Sequence, residues 1–186
     1  KFLFFYLSCG VGAAMLHMGI NYIELQGLLG ELSSLNLSSA EIYTLLNMDF
    51  KSSFDSAGQL INSDVSAIVK RVGMNQEQFN VLQQAIMVNK IPMVGASGAI
   101  YGLLAAFAFM FPNAELSLLF LPIPIKAKYF VPGILLIDLV LGFQGNAIFG
   151  GGGSGVAHFA HIGGALTGFL MMYYWKKNQF NQNRWD

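Results

Sequence analysis

Four apolar runs with few or no charges divide the chain, and a long polar stretch separates the first run from the other three. A helix that crosses a bilayer needs roughly 20 mostly apolar residues. The runs predict four membrane-spanning helices, termed spans A to D, at about residues 2–23, 91–111, 128–143 and 156–175. The third is the shortest and holds an acid, Asp138. The pattern predicts an all-α, polytopic transmembrane helix bundle.

The polar stretch, residues 24–90, has the pattern of short amphipathic helices joined by turns. Its predicted helix N-caps are Ser38 with Glu41 in a capping box, Ser63-Asp64, and Asn75. Gly73 is the predicted end of the second helix. The stretch shows no chemical motif, so we expect an inserted, structured extracytoplasmic loop lying against the membrane surface. A substrate-docking or partner-binding role is the alternative.

Composition supports the membrane class. Hydrophobic residues make up 54% of the 186-residue chain and charged residues 11%, whereas soluble domains carry about 25% charged residues. The net charge of zero indicates no nucleic-acid partner. The single cysteine, Cys9, excludes an intrachain disulfide. Because the sequence starts at Lys1, inside an apolar run, we expect further segments upstream.

Basic residues predict the orientation of the spans. Six flank the spans: Lys1, Lys126, Lys128, Lys176, Lys177 and Arg184. With residue 1 in the cytoplasm, all six lie on the cytoplasmic side, as the positive-inside rule expects. Residues 24–90, with four basic and seven acidic residues, and the glycine-rich loop at 145–155 would then lie outside.

The first chemical motif lies at the start of span B, where Gly95-Ala-Ser97-Gly98 is followed by Tyr101 and Gly102. A serine near a helix N-terminus sits beside unpaired N–H groups and the positive end of the dipole, which favour a developing anion. Gly98 and Gly102 form a small-xxx-small pair that allows close helix packing. Helix packing alone would explain such a motif.

Span D supplies a second motif. His161, Gly164, Ala165 and Gly168 form one helical stripe with a single ionisable group near its outer end. Ser97 and His161 lie at similar depths, so the serine Oγ and the imidazole are predicted to lie within about 2.6–3.2 Å, the geometry of an activated nucleophile. Ionisable residues inside a membrane span indicate function by default.

Together these motifs resemble the paired signatures of rhomboid proteases, Gly-Ala-Ser97-Gly98-x-x-Tyr101-Gly in one span and Ala-His161-x-Gly-Gly-x-x-x-Gly in the last. The resemblance implies that spans A to D correspond to helices three to six of a six-helix core. It implies an intramembrane serine protease with Ser97 as nucleophile and His161 as base, a dyad without a third carboxylate. Tyr101 would pack on the His161 ring, and the Ser97 N–H would contribute to the oxyanion hole.

The resemblance also implies segments that this sequence does not contain. These are the family's first two helices, with the His and Asn that complete its oxyanion hole. Losing one oxyanion donor costs about 10²–10³-fold in rate, so we expect residues 1–186 alone to be inactive. The expected partners are transmembrane protein substrates and the lipid bilayer, in a plasma or bacterial inner membrane.

Other polar residues in the spans leave alternatives open. His158 is predicted to support the site or line its mouth; a metal site formed with His161 and His17 is the alternative, disfavoured because no carboxylate or cysteine stands near them in the sequence. No cofactor or metal is expected. Asp138 is predicted to be a buried, hydrogen-bonded carboxyl rather than a proton relay.

Two short segments rich in glycine or proline each have a structural and a functional interpretation. Pro132-Gly133 predicts a kink in span C, or else a lateral gate. Gly150–Gly153 predicts a mobile cap or a plain linker. The rival functions are a rhomboid-like pseudoprotease that binds membrane clients and a small proton-linked transporter that uses the His and Asp residues.

Overall fold

The computed structural model describes residues 1–53, 60–90, 96–118, 121–144 and 156–178. The chain divides into two compact units, one made of Lys1–Ile20 with Met93–Asp186 and the other of Asn21–Pro92. The glycine-rich loop and Gly95 lie outside the described residues.

Helices dominate both units, which confirms the predicted all-α fold class. In chain order they are α1 (Phe2–Glu31), α2 (Ser39–Leu46), α3 (Phe50–Ser53), α4 (Ser63–Val72), α5 (Gln76–Asn89), α6 (Ser97–Met110), α7 (Ala127–Gln144) and α8 (Val156–Asn178), with a 3₁₀ turn at Ser33–Leu35. By length and composition, α1 is the one helix among the described residues that could cross a membrane, and α6 is a shorter apolar helix.

The helix bounds differ most from the predicted spans in α1 and α6. Helix α1 continues past residue 23 to Glu31, because Leu25, Leu28 and Leu29 pack on the core of the second unit. Helix α6 begins at Ser97, inside the predicted span B. Helix α7 continues through Pro132 without a break.

A β-hairpin that the sequence did not predict joins α6 to α7. Its strands are β1 (Glu115–Leu118) and β2 (Leu121–Lys126), paired antiparallel with Glu115 opposite Lys126. The segment holds prolines, which a two-stranded ribbon tolerates because one side of each strand has no partner. The hairpin is short and leaves the fold class unchanged.

Three N-caps organise the second unit. Ser38 caps α2 in a full capping box with Glu41, and Asn75 caps α5 with Gln78 at the third helical position; both caps are as predicted. The predicted Ser63-Asp64 cap is wrong by one residue, because the Asn62 side chain accepts the bond from the Val65 N–H. An Asx side chain placed one residue earlier reaches the same orphan donor.

The second unit has its own apolar core. Its buried residues come from α2, α4, α5 and the connections beside them: Leu32, Leu45, Leu46, Met48, Val65, Leu82, Ala85 and Ile86. The Lys90 ammonium donates to the Met48 carbonyl and the Asn89 amide to the Leu46 carbonyl. These bonds tie the end of α5 to the end of α2. The unit is therefore a packed helical assembly and not an extended loop.

Candidate active site

Ser97 occupies the first position of α6 and is exposed. The backbone N–H of Ile100 already bonds to the Ala96 carbonyl, so the helix starts immediately before the serine. N–H groups in a first helical turn have no partner within the helix. A substrate carbonyl beside Ser97 could therefore receive hydrogen bonds from this helix end as negative charge develops on its oxygen.

His161 lies in the second turn of α8 and faces Ser97. Its Nε2 is 3.1 Å from the Ser97 Oγ, inside the range predicted from the sequence. The predicted contact is confirmed, while the catalytic roles of the two residues stay predictions. The His161 side chain is 21% exposed among the described residues.

Tyr101 lies one turn after Ser97 and stacks on the imidazole of His161. The ring centroids are 4.1 Å apart and the planes differ by 4°. The predicted packing of Tyr101 on His161 is therefore confirmed. The phenol ring limits rotation of the imidazole and covers one of its faces.

Four glycines allow α6 to approach both α1 and α8 closely enough for this contact. A Cβ at Gly98 would lie 2.5 Å from the Ala13 Cβ and 3.1 Å from the Ala160 carbonyl oxygen. A Cβ at Gly102 would lie 2.5 Å from the Cys9 Sγ and 2.9 Å from the Gly164 carbonyl oxygen. At each position at least one distance is shorter than real Cβ atoms show, so the two α6 positions require glycine.

The facing positions on α8 are equally restrictive. A Cβ at Gly164 would collide with the carbonyl oxygen of Gly98, and one at Gly168 with that of Gly102. The backbones of α6 and α8 are therefore in direct contact, as the small-residue stripes predicted. This contact sets the distance from Ser97 to His161.

A carboxylate lies beside the two histidines. The Asp138 Oδ1 is 2.6 Å from the Nδ1 of His158, and the Asp138 Oδ2 is 3.3 Å from the Nδ1 of His161. Asp138 is 5% exposed and His158 is 9% exposed. The prediction that Asp138 is a buried, hydrogen-bonded carboxyl is confirmed. The expectation that no carboxylate stands near the histidines was wrong in space, because Asp138 from another helix lies beside both of them.

Sequence reasoning noted Asp138 and missed its place beside the candidate site. The available signal was depth: Asp138 lies near the outer end of span C, at a level similar to His158 and His161 in the antiparallel span D. Depth alone does not say which face of α7 meets α8, because that depends on how the helices cross.

Three residues of this cluster have ligand atoms close enough to hold a metal ion. Asp138, His158 and His161 each offer one such atom, all within 4.8 Å of one another. His17, the third ligand in the metal alternative drawn from sequence, is buried in α1 and is not part of this group. The 2.6 Å contact between Asp138 and His158 has the length of a direct hydrogen bond.

Comparisons with known proteins agree with the resemblance. A family model described as "Rhomboid domain" matches residues 60–178. A stretch of 86 residues is 33% identical to "Rhomboid protein 1, mitochondrial" from Saccharomyces cerevisiae. The match covers 46% of this chain and 23% of the yeast protein, so the chain spans about a quarter of that relative's length. No solved structure matches the chain.

Proposed function

Because the chain belongs to the rhomboid family, and is thus an integral membrane protein, we propose that it is part of an intramembrane serine protease. Its substrates are transmembrane proteins, cleaved in or near their membrane-spanning helices. The observation that carries the proposal is the 3.1 Å contact between the Ser97 Oγ and the His161 Nε2. A serine hydroxyl bonded to an imidazole is the minimal activated nucleophile.

The proposed reaction follows from that contact. His161 Nε2 takes the Ser97 hydroxyl proton as the Oγ attacks the scissile carbonyl carbon. The resulting imidazolium returns the proton to the leaving amine, and an acyl-enzyme remains on Ser97. Water then attacks the acyl carbon, with His161 again as base, and the released carboxylic acid restores the serine.

Substrate preference follows from the need to expose the scissile bond. A peptide bond inside a regular helix has its backbone groups hydrogen-bonded and covered by side chains. Helices with small or helix-destabilising residues near the cleavage point unwind at lower free-energy cost. The protease is therefore proposed to prefer such substrate helices.

The proposed location is a plasma or bacterial inner membrane. The name of the yeast relative states a mitochondrial location for that protein, which makes a mitochondrial membrane the alternative. Fractionation of native cells, followed by detection of the full-length protein, distinguishes the two.

A fluorophosphonate probe and a transmembrane reporter substrate test the protease proposal on the full-length protein. We expect labelling and cleavage in the wild type, and neither in Ser97→Ala or His161→Ala. Ser117→Ala is the matched control, because Ser117 is exposed in β1 and outside the candidate site. It should react as the wild type does.

The same assay separates the rival functions. Reporter binding without labelling or cleavage would support a pseudoprotease. Proton flux in liposomes that is lost in Asp138→Asn and is unaccompanied by labelling would support a transporter. Cleavage that persists in Ser97→Ala would refute the assignment of the nucleophile.

A further inference from the structure

Two buried polar atoms on the far side of His161 require explanation. They are the His161 Nδ1 and the Asp138 Oδ2, which lie 3.3 Å apart. Within the described part of the chain, neither atom makes a hydrogen bond of regular geometry, with the other or with any third group. Buried polar atoms in folded proteins are almost always hydrogen-bonded, since leaving one unsatisfied is costly. Their separation of 3.3 Å is short enough for each to become the partner of the other after a small adjustment of either side chain.

We propose that Asp138 is a positioning residue for His161, holding the imidazole with Nδ1 protonated and Nε2 free to accept the proton of Ser97. This inference rests on the proposed function. It follows from the chain of contacts Ser97 Oγ, His161 Nε2, His161 Nδ1 and Asp138 Oδ2, with separations of 3.1 Å and 3.3 Å at its two ends. In a neutral imidazole one nitrogen donates and the other accepts. The group bonded to Nδ1 therefore selects which nitrogen faces the serine.

His158 fixes the orientation of that carboxylate. The Asp138 Oδ1 accepts a hydrogen bond from the His158 Nδ1 at 2.6 Å, which leaves Oδ2 directed at His161. Tyr101, which stacks on His161, also interacts with Asp138. Three helices thus contribute one polar cluster: α6 through Tyr101, α7 through Asp138 and α8 through the histidines.

The carboxylate has a second effect during the reaction. When His161 takes the serine proton, the imidazole becomes positively charged in an apolar bundle. A negative charge within hydrogen-bonding distance stabilises that imidazolium, and the proton on Nδ1 stays on the histidine throughout. Asp138 touches neither the substrate nor the reacting atoms, so it acts only through His161.

Steady-state kinetics of Asp138→Asn in the full-length protein test the proposal. The asparagine has nearly the same shape but can donate from its amide to Nδ1 and so favour the wrong tautomer. We expect kcat to fall by about 10²–10⁴-fold, with KM changed by less than about threefold. Asp64→Asn, the same change at an exposed site outside the spans, should leave both constants unchanged.

His158→Gln separates positioning from general packing. Glutamine can still donate to the Asp138 carboxylate, so we expect a kcat loss at least tenfold smaller than that of Asp138→Asn. Equal losses in the two variants, with equal losses of thermal stability, would show that the cluster only holds the helices together and would overturn the proposal.

Nuclear magnetic resonance of ¹⁵N-histidine-labelled protein reports which nitrogen of His161 carries the proton. A purely structural role of Asp138 would not determine that result, and the measurement does not require an Asp138 variant. The His161 signal, identified by its loss in His161→Gln, should show the proton on Nδ1 in the wild type. A proton on Nε2 would overturn the proposal even if Asp138→Asn does not fold.

Two further measurements distinguish failure of the proposed function from failure of the positioning role. Cleavage that persists in Ser97→Ala refutes the proposed function, while an inactive Ser97→Ala beside a fully active Asp138→Asn refutes only the positioning role. Inactivation by a chelator with recovery on adding Zn²⁺ would make Asp138, His158 and His161 metal ligands, and would also overturn the positioning role.

Discussion

Tyr101 contacts His161 through its ring and interacts with Asp138. Substitution can test the ring and the hydroxyl separately. Tyr101→Phe keeps the stacked ring and removes the hydroxyl, whereas Tyr101→Ala removes both. We expect kcat within about threefold of the wild type for the first and a loss of about 10–10²-fold for the second, because a misplaced imidazole loses alignment with Ser97. Reporter cleavage by the full-length protein measures both.

Equal activity of Tyr101→Ala and the wild type would show that the stacking seen at 4.1 Å does not position His161. Thermal unfolding of the two variants is the control, since a large loss of stability in Tyr101→Ala alone would reduce activity indirectly.

At this scale the sequence predicted the contact between Ser97 and His161 because small-residue stripes indicated which faces of α6 and α8 meet, and the family resemblance implied the packing of Tyr101 on His161. It identified Asp138 as a buried carboxyl and missed its contact with His161. That contact joins two helices, and its existence depends on the rotation of α7 about its axis. Spacing within α7 does not determine that rotation.

Helix α8 packs on α6 through backbone atoms, so glycine at position 164 should be indispensable. A Cβ there would collide with the Gly98 carbonyl oxygen. We expect Gly164→Ala to lower the free energy of unfolding by about 1–3 kcal/mol, the usual cost of overpacking. Denaturant unfolding of the full-length protein in detergent measures it.

Gly133→Ala is the matched control for this change. It lies within α7, and a Cβ there would meet no atom within 4 Å, so the added methyl should be neutral or slightly stabilising through helix propensity. If Gly164→Ala were as stable as Gly133→Ala, the close α6–α8 contact would be wrong.

The start of α2 depends on an ionised side chain. The Glu41 carboxylate accepts hydrogen bonds from the Ser38 N–H and hydroxyl. It also accepts from Arg71, whose Nε and Nη2 lie 3.0 and 2.6 Å from the Glu41 Oε1. The backbone and side-chain bonds from Ser38, with help from Arg71, hold the pKa of Glu41 below its usual value. A lowered folded-state pKa means stabilisation that is present above the unfolded pKa of about 4.3 and lost as pH falls through the folded pKa.

The protection factors of the α2 amides in the full-length protein, which correct hydrogen exchange for its intrinsic pH dependence, should therefore fall on acidification below about pH 4. In Glu41→Gln we expect faster exchange at neutral pH and a smaller change across the acid range. Glu77→Gln, in the first turn of α5 but outside that helix's Asn75–Gln78 capping box, is the control. Acid-insensitive α2 protection factors in the wild type would contradict the role assigned to Glu41.

Elements were predictable where a local signal defines them. The Ser38 and Asn75 caps and the glycine at the end of α4 were correct because a cap needs only a few neighbouring residues; Gly73 has φ 63°, a left-handed conformation suited to glycine. The hairpin at 115–126 was missed because two short strands in an apolar segment lack a clear alternating pattern.

For the whole molecule, the sequence predicted a helical bundle but not the compactness of residues 21–92. Three amphipathic helices identify apolar faces without saying what covers them. The structure shows that α2, α4, α5 and the end of α1 cover one another. A polar stretch between spans can thus form its own core, which composition alone does not reveal.

Membrane orientation is the property on which access of water to Ser97 depends. Helix α6 has 14 residues, a length of about 21 Å at 1.5 Å per residue, against a hydrocarbon core of about 30 Å. If its Met110 end lies at the cytoplasmic surface, as the placement of basic residues predicts, Ser97 lies about 9 Å below the opposite surface. The serine then lies within the hydrocarbon core, and the water that hydrolyses the acyl-enzyme must enter from the extracytoplasmic side.

Cysteine accessibility in a Cys9→Ala background tests this orientation in intact cells. Ala67→Cys, exposed in α4, should react with a reagent that cannot cross the membrane, whereas Asn113→Cys, exposed in the turn after α6, should react only after permeabilisation. Asn113 is preferred to the neighbouring Ala127, which is fully buried and would stay unlabelled on either side. Labelling of Asn113→Cys but not Ala67→Cys in intact cells would reverse the orientation. Water would then have to reach Ser97 from the cytoplasm.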